Sequence, residues 1–397
     1  MKTHKEAGAG NLPLVVCLLW LCGVGLRLPV LSVPPVIPLL HDDPVMHLTK
    51  TGVGILSALP LLFFAWGAIP GSLLISRLGA RRAVTVGLLI STIGAALRGA
   101  APDVLSLFAA TAVMGFGIAV MQPAMPPLVR SWTPSKISFG TAVYSNGLVV
   151  GQIIVVWTTI PLVLPLLDGS WRLAFTAWAI PGALTVLLLL LAAPREKGPV
   201  APGPLPRWWP DWKSPLLWKL GLIVGAINTL YFATNAFLPD YLAYVGRPDQ
   251  ILHALGGFNL MPLAGSILMI FYAHKFARKA WPFMLGALVM LAGLGGVLFV
   301  DPNWIFFSTG LIGFGNVSSL ILAFALPAQL CPPEDVPRVS AGMFMISYSC
   351  AVVAMVLGGL SWDLTGTPYI ALGLIGLASL AILTLAPRID FRQGLDR

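Results

Sequence analysis

The chain has 397 residues, 57% of them hydrophobic and only 10% charged, with a mean hydropathy of +0.87. A soluble domain carries about a quarter charged residues, so a soluble globular fold is excluded and an integral membrane protein is expected. The formal charge of +9 calls for no nucleic-acid partner, because the basic residues sort by their place between apolar runs.

A membrane-spanning helix needs about 20 apolar residues, and the runs here meet that length without the short alternating segments of a transmembrane β-barrel. Spans are expected at 12–39, 50–76, 83–101, 104–129, 137–166 and 172–193, then at 216–241, 251–275, 281–299, 304–329, 338–361 and 368–386. The opening "MKTHKEAGAG" imitates a signal peptide, but the following run is too long and no small-residue cleavage site ends it. It reads as a retained first helix. With the N-terminus placed in the cytoplasm, 19 of the 24 basic residues fall on that side and Lys50, Arg98, Arg172 and Arg247 on the other, which is the bias that orients membrane proteins. Both termini are expected inside.

The remaining basic residue, Arg27, lies in the run "GLRLPVLSVPPVIPLL" of span 1. It is roughly 22 Å along the helix, where a charge costs about 2.5–3.5 kcal/mol and should face a cavity or the bundle interior. A guanidinium is a permanent, planar fork of donors suited to an anion. Alternatively it bonds carbonyls released by Pro29, Pro34, Pro35 and Pro38, or snorkels outward. All 15 acidic residues fall in loops or at span ends, so Arg27 reads as the one intramembrane charge, with no carboxylate to neutralise it.

After span 1, "HDDPVMH" holds His41, Asp42, Asp43 and His47. Its spacing matches no metal site, and a solvated outer loop is expected; nothing calls for a metal or cofactor. In span 2, Phe63 and Trp66 could wall a site or pack the core. Spans 4 and 5 contribute Gln122, Tyr144, Asn146 and Gln152, and Gly147 and Gly151 form a small-xxx-small pair suited to close crossing and to sliding between halves. The polar, Pro-rich "APREKGPVAPGPLPRWWPDWKSP" then separates six spans from six, giving units at 1–194 and 216–397 joined by a cytoplasmic linker at 195–215. Trp208, Trp209 and Trp212 suit the membrane interface.

Span 7 places Asn228, Tyr231 and Asn235 on one helical face. They could bind a small solute or serve as interhelical glue. Asn259 (span 8), Asn316 (span 10) and Tyr348 (span 11) are further polar residues inside spans. Proton-coupled porters usually embed a carboxylate or His, and here only His253 is a candidate. The cysteines, Cys17, Cys22, Cys331 and Cys350, suggest free thiols and no disulfide framework.

The halves repeat. "GFG" at 115–117 returns at 313–315, and "SFGTAVYSN" at 138–146 is echoed by "SAGMFMISY" at 340–348, offsets of 198 and 202. Parallel six-helix repeats are a transporter architecture with the solute path between the halves. The fold class expected is an all-α membrane protein of 12 transmembrane helices in two pseudo-symmetric six-helix bundles.

The loop "GSLLISRLGARRAV" (71–84) resembles the signature of the major facilitator superfamily, with Arg77, Gly79, Arg81 and Arg82 at the matching positions. The resemblance gives these residues a role at the inner gate. Ser76 stands where the family has an acid, a departure that bears on that gate. "LRLPVLSVPPVIPLL", "LSALPLLFFAWGAIPG", "GFGIAVMQPAMPPLVR", "SWRLAFTAWAIPGAL" and "AINTLYFATNAFLPDYL" further resemble the cyanate and 2-nitroimidazole porter branch. The resemblance implies a monomeric secondary transporter of a small anion or polar solute, working by alternating access in the bacterial cytoplasmic membrane with lipid around it. A porter exporting neutral nitro-aromatic drugs is the alternative on the same fold. A membrane-embedded enzyme would need a reactive cluster at the membrane face, and the sequence shows none.

Overall fold

The computed structural model describes residues 12–46, 48, 50–194 and 207–391. Both chain ends, His47 and most of the expected linker (195–206) lie outside the described residues. Eleven helices are each long and apolar enough to cross a membrane, and one bent pair makes a twelfth. They are α1 (Leu12–Leu31), α2 (Lys50–Trp66 continued by Ala68–Leu78), α3 (Ala80–Gly99), α4 (Val104–Trp132), α5 (Ile137–Thr158) and α6 (Trp171–Ala192). The second set is α7 (Pro215–Tyr244), α8 (Ile251–Phe276), α9 (Trp281–Phe299), α10 (Ile305–Leu330), α11 (Val336–Thr365) and α12 (Tyr369–Leu385).

Three spans depart from straight helices where proline or glycine intervenes. Span 1 leaves the α-helix at Leu31 and continues as a 3₁₀ turn at Pro34–Val36 and a short helix at Ile37–Asp42, because prolines 34, 35 and 38 have no N–H to return to the preceding carbonyls. Span 2 bends by 51° between Trp66 and Ala68. A side chain on Gly67 would meet Ala119 of α4 at 2.6 Å, so close packing fixes the place of the bend. Span 5 passes through a π turn at Thr159–Val163, which contains Pro161.

The repeat is built into the packing. A Cβ on Gly117 would lie 2.5 Å from the Gly87 carbonyl oxygen, and one on Gly315 would lie 2.7 Å from that of Gly286. Hence α3 meets α4 as α9 meets α10, with the second glycine of each "GFG" at the crossing. Gly147 and Gly151 make the close crossing that their spacing suggested. The missing Cβ of Gly147 makes room for the Trp20 carbonyl, 2.2 Å from where that atom would stand, and that of Gly151 for Val24 at 3.0 Å, so the pair joins α5 to α1 inside one half and, among the described residues, faces no partner across the halves.

Hydrogen bonds between the halves gather at mid-membrane and toward the face that carries Leu12 and Phe391. Arg130 of α4 donates to the carbonyls of Ala328 and Cys331 at the end of α10, and Gln329 Nε2 donates to Ser138 Oγ at 2.9 Å. Nearer the centre, Asn146 Nδ2 donates to Ser266 Oγ at 2.9 Å, while its own carbonyl accepts from Trp20.

Arg98 corrects the sequence reading. It sits in the last turn of α3, and the sequence counts it among the basic residues of the outer side, yet it is fully buried. The break in span 1 folds over it. Its Nη2 donates to the Pro29 carbonyl at 2.7 Å and to Ser32 Oγ at 3.1 Å, and its guanidinium carbon stands 4.5 Å from the centroid of the Phe175 ring. Arg27 is therefore not the one intramembrane charge. Arg172 does anchor a helix end, donating to the Ala101 carbonyl. Asp43 of "HDDPVMH" is also structural. It accepts from the Val45 and Met46 amides and from Trp171 Nε1 at 2.9 Å, and the Met46 amide leads in holding its carboxyl below the usual range.

Candidate solute site between the halves

A cavity of about 40 Å³ lies between the halves, walled by Arg27 of α1, Gln152 of α5, Asn228 and Tyr231 of α7, Phe258 of α8 and Asn316 of α10, among others. It has room for a few water-sized groups. Its walls are apolar apart from these amides, the phenol, Ser145 and one guanidinium, and among the described residues no carboxylate or imidazole lines it.

Arg27 is half-buried. Its guanidinium carbon stands 5.6 Å from the centroid of the Tyr231 ring, an attractive cation–π placement. No hydrogen-bond acceptor holds it among the described residues, and its nitrogens face the cavity rather than being sealed in protein. The Pro29 carbonyl, two residues further along the chain, accepts from Arg98.

Around Tyr231 the polar groups close into a ring. The Tyr231 hydroxyl donates to Gln152 Oε1 at 2.9 Å, and Gln152 Nε2 donates to Asn259 Oδ1 at 2.8 Å. Asn259 Nδ2 donates to Asn235 Oδ1 at 3.2 Å, and Asn235 Nδ2 returns to the Tyr231 carbonyl at 3.0 Å. Asn235 and Asn259 thus reach the site through Tyr231 and Gln152 and do not themselves line the cavity. Asn228 and Asn316 do line it, while their Nδ2 atoms donate to Ser347 Oγ and to the Ile227 carbonyl, both at 2.7 Å.

The other residues selected from the sequence sit elsewhere. Gln122 Nε2 bonds the Tyr348 hydroxyl at 2.8 Å across the halves, in a pair buried away from the cavity wall. Tyr144 is fully buried and stacks on Phe324, centroids 6.3 Å apart. Trp66 is 67% exposed and walls nothing, because it stands at the bend of span 2 and points away from the bundle. His253 is exposed near the start of α8 and does not reach the cavity. The sequence reading named Gln152 without ranking it and missed Ser145 and Phe258. Ser145, Leu148 and Gln152 follow the i, i+3, i+7 pattern of one helical face, so a face count on span 5 would have grouped them.

At the gate, Arg77 and Arg82 are exposed, and Arg81 Nη2 donates to the Leu189 carbonyl at 3.0 Å within its own half. Ser76, at the position of the missing acid, bonds back to the Leu73 carbonyl. Gly79 has φ of 83°, a backbone that favours glycine and turns the chain between α2 and α3. The contact across the halves is made by Arg130, which meets the carbonyl end of α10, where partial negative charge gathers. Burial pushes the neighbouring Cys331 thiol up to about 12, with Asp335 adding to the shift and Arg130 and Arg338 opposing it, so the thiol stays protonated at this junction.

The sequence profile of the Major Facilitator Superfamily matches residues 19–247. The chain is 28% identical over 331 residues to the cyanate transport protein CynX of Escherichia coli (strain K12), covering 80% of this chain and 82% of that one. It is 26% identical over 356 residues to the 2-nitroimidazole transporter of the same organism, covering 85% of each. It is 27% identical over 353 residues to the uncharacterized transporter YycB of Bacillus subtilis (strain 168), covering 86% of this chain and 84% of that one. Among solved structures, the proton:xylose symporter XylE bound to 6-bromo-6-deoxy-D-glucose superposes with a TM-score of 0.78 at 15% identity over 97% of each chain. The fucose:proton symporter FucP of E. coli gives 0.71 at 16% identity over 95% of this chain and 98% of that one. At such identities the structures speak for the fold alone, but the profile covers more than half of the sequence, and the chain belongs to the Major Facilitator Superfamily of membrane transporters.

Proposed function

We propose that this transporter moves a small anion across the bacterial cytoplasmic membrane by alternating access, with Arg27 as its contact to the anion. One observation carries the reading. A permanent charge lines a cavity between the two halves, and no protein acceptor among the described residues holds it. A charge without an acceptor at this depth is costly, and an anion supplies the missing partner. The small cavity suits a solute of a few atoms, and Asn228, Asn316 and Tyr231 supply the remaining polar contacts. Cyanate, the solute named for one relative, has this size and charge.

Among the described residues the cavity wall offers no carboxylate or imidazole as a proton carrier. We read the coupling as exchange of one anion for another, or as a proton brought by the solute itself. A second reading keeps the same site for a neutral nitro-aromatic, because Phe258 and Tyr231 offer aromatic walls and a nitro group is a planar acceptor for Arg27.

The test is a thermal-shift series on the purified protein with sodium cyanate, sodium nitrate and 2-nitroimidazole, since a ligand that binds the folded state raises the melting temperature. Cyanate should stabilise the wild type and have no effect on Arg27→Met. Equal shifts in both proteins would sink the anion contact, and a shift with 2-nitroimidazole alone would favour the neutral reading.

A further inference from the structure

The ring of hydrogen bonds around Tyr231 runs in one direction, and that direction has a consequence for binding. A phenol has a single proton to donate. Here it goes to Gln152 Oε1, so the oxygen is left with only its lone pairs. Gln152 is fixed in turn, because its Nε2 donates to Asn259 Oδ1 and its Oε1 is the acceptor that remains. Asn259 and Asn235 continue the sequence of donations back to the Tyr231 carbonyl. A solute resting against Arg27 therefore meets a phenol oxygen whose proton is already committed to a residue of the other half.

We propose that Gln152 is an internal competitor for the solute. It sets affinity by holding the Tyr231 proton, and it yields that proton when an acceptor atom binds beside Arg27. The proposal rests on the reading of Arg27 and Tyr231 as solute contacts. Gln152 is then a positioning residue acting through Tyr231. The exchange also has a mechanical side. Gln152 belongs to α5 of the first half and Tyr231 to α7 of the second, so the solute gains its hydrogen bond by breaking one that joins the halves. Binding and release of the α5–α7 tie become one event. A solute without an acceptor atom at that point leaves the tie in place and gains nothing from Tyr231.

The experiment is calorimetric titration of the purified full-length protein with sodium cyanate and with 2-nitroimidazole, both of which present acceptor atoms. Five variants accompany the wild type: Gln152→Met, Gln152→Leu, Tyr231→Phe, Gln152→Met combined with Tyr231→Phe, and Arg27→Met. Removing the competing acceptor should tighten binding by about 2- to 10-fold, the factor that goes with one net hydrogen bond. That gain should disappear when Tyr231→Phe removes the proton at issue. A glutamine that merely packed the cavity would give unchanged or weaker binding in both Gln152 variants at a wild-type melting temperature. Either that result, or a gain that survives Tyr231→Phe, overturns the proposal, as does failure of both ligands to bind the Gln152 variants more tightly. The Arg27→Met arm separates the two readings. Loss of cyanate binding there, with no gain in the Gln152 variants, removes the competition and leaves the anion contact standing. Wild-type cyanate binding there, with a Tyr231-dependent gain in the Gln152 variants, does the reverse.

Discussion

Arg27 and Arg98 both lie in the first half of the protein among apolar helices, one on α1 and one on α3. Arg98 is sealed from solvent, stacked on Phe175 and bonded to the Pro29 carbonyl and Ser32 where the helix of span 1 breaks. Arg27, two residues before that proline, lines a cavity and stands over the ring of Tyr231. Arg98 is used as a cap. It satisfies a main-chain oxygen at the end of the first helix of span 1, even though its own Nε and Nη1 stay buried without a partner. Arg27 is relieved of that duty and keeps its donors free. The comparison teaches that charge in a membrane protein reads as function only once the neighbouring carbonyls have been accounted for, and here a second arginine accounts for them.

The comparison can be broken most severely at Arg98. Replacing it with Ala opens a void and takes two hydrogen bonds from the break in span 1, leaving the Pro29 carbonyl to Ser32 Oγ alone, and the melting temperature in detergent should fall by the equivalent of about 2–4 kcal/mol. A variant as stable as wild type would remove Arg98 from its structural role. Arg27→Met should do the opposite. Stability should hold within about 1 kcal/mol, or rise, because no protein bond is lost and a buried charge is removed. Anion binding should weaken by about 1.5–3 kcal/mol, the range for a hydrogen bond to a charged group, read as a rise in Kd. A fall in stability comparable to that of Arg98→Ala would make the two arginines alike and end the distinction. The smallest effect on binding is expected for Tyr231→Phe, about 0.5–1.5 kcal/mol, because the hydroxyl lost to the solute is also lost to Gln152, and that lost bond lowers stability by a similar amount. An effect as large as that of Arg27→Met would make Tyr231, and not Arg27, the principal contact.

Much of the fold was legible because span length and the "GFG" recurrence are local signals. The depth of Arg27 followed from counting along a helix, and the grouping of Asn228 and Tyr231 from helical periodicity. Arg98 was misread because its place in sequence, at the end of an apolar run, is that of an ordinary anchor. Only the broken span 1 and Phe175, contributed by distant segments, bury it. Trp66 failed for a related reason. Position along span 2 suggested mid-membrane depth, but the bend beside Gly67 sets which way that turn faces, and the bend depends on Ala119 of another helix. The basic cluster after span 2 was legible as a motif, whereas Arg130, which reaches across the halves, bonds to main-chain atoms and so leaves no complementary side chain in the sequence to find.

That last feature bears on how this protein can drift. The acceptors for Arg130 at the end of α10 are the carbonyls of Ala328 and Cys331, which any residue at those positions would also provide. Substitution on the α10 side cannot delete the contact as long as the helix end keeps its shape. All of the genetic risk falls on the arginine codon. A junction arranged this way needs no matched pair of mutations to survive, and it leaves the α10–α11 loop free to vary in sequence while the two halves still close.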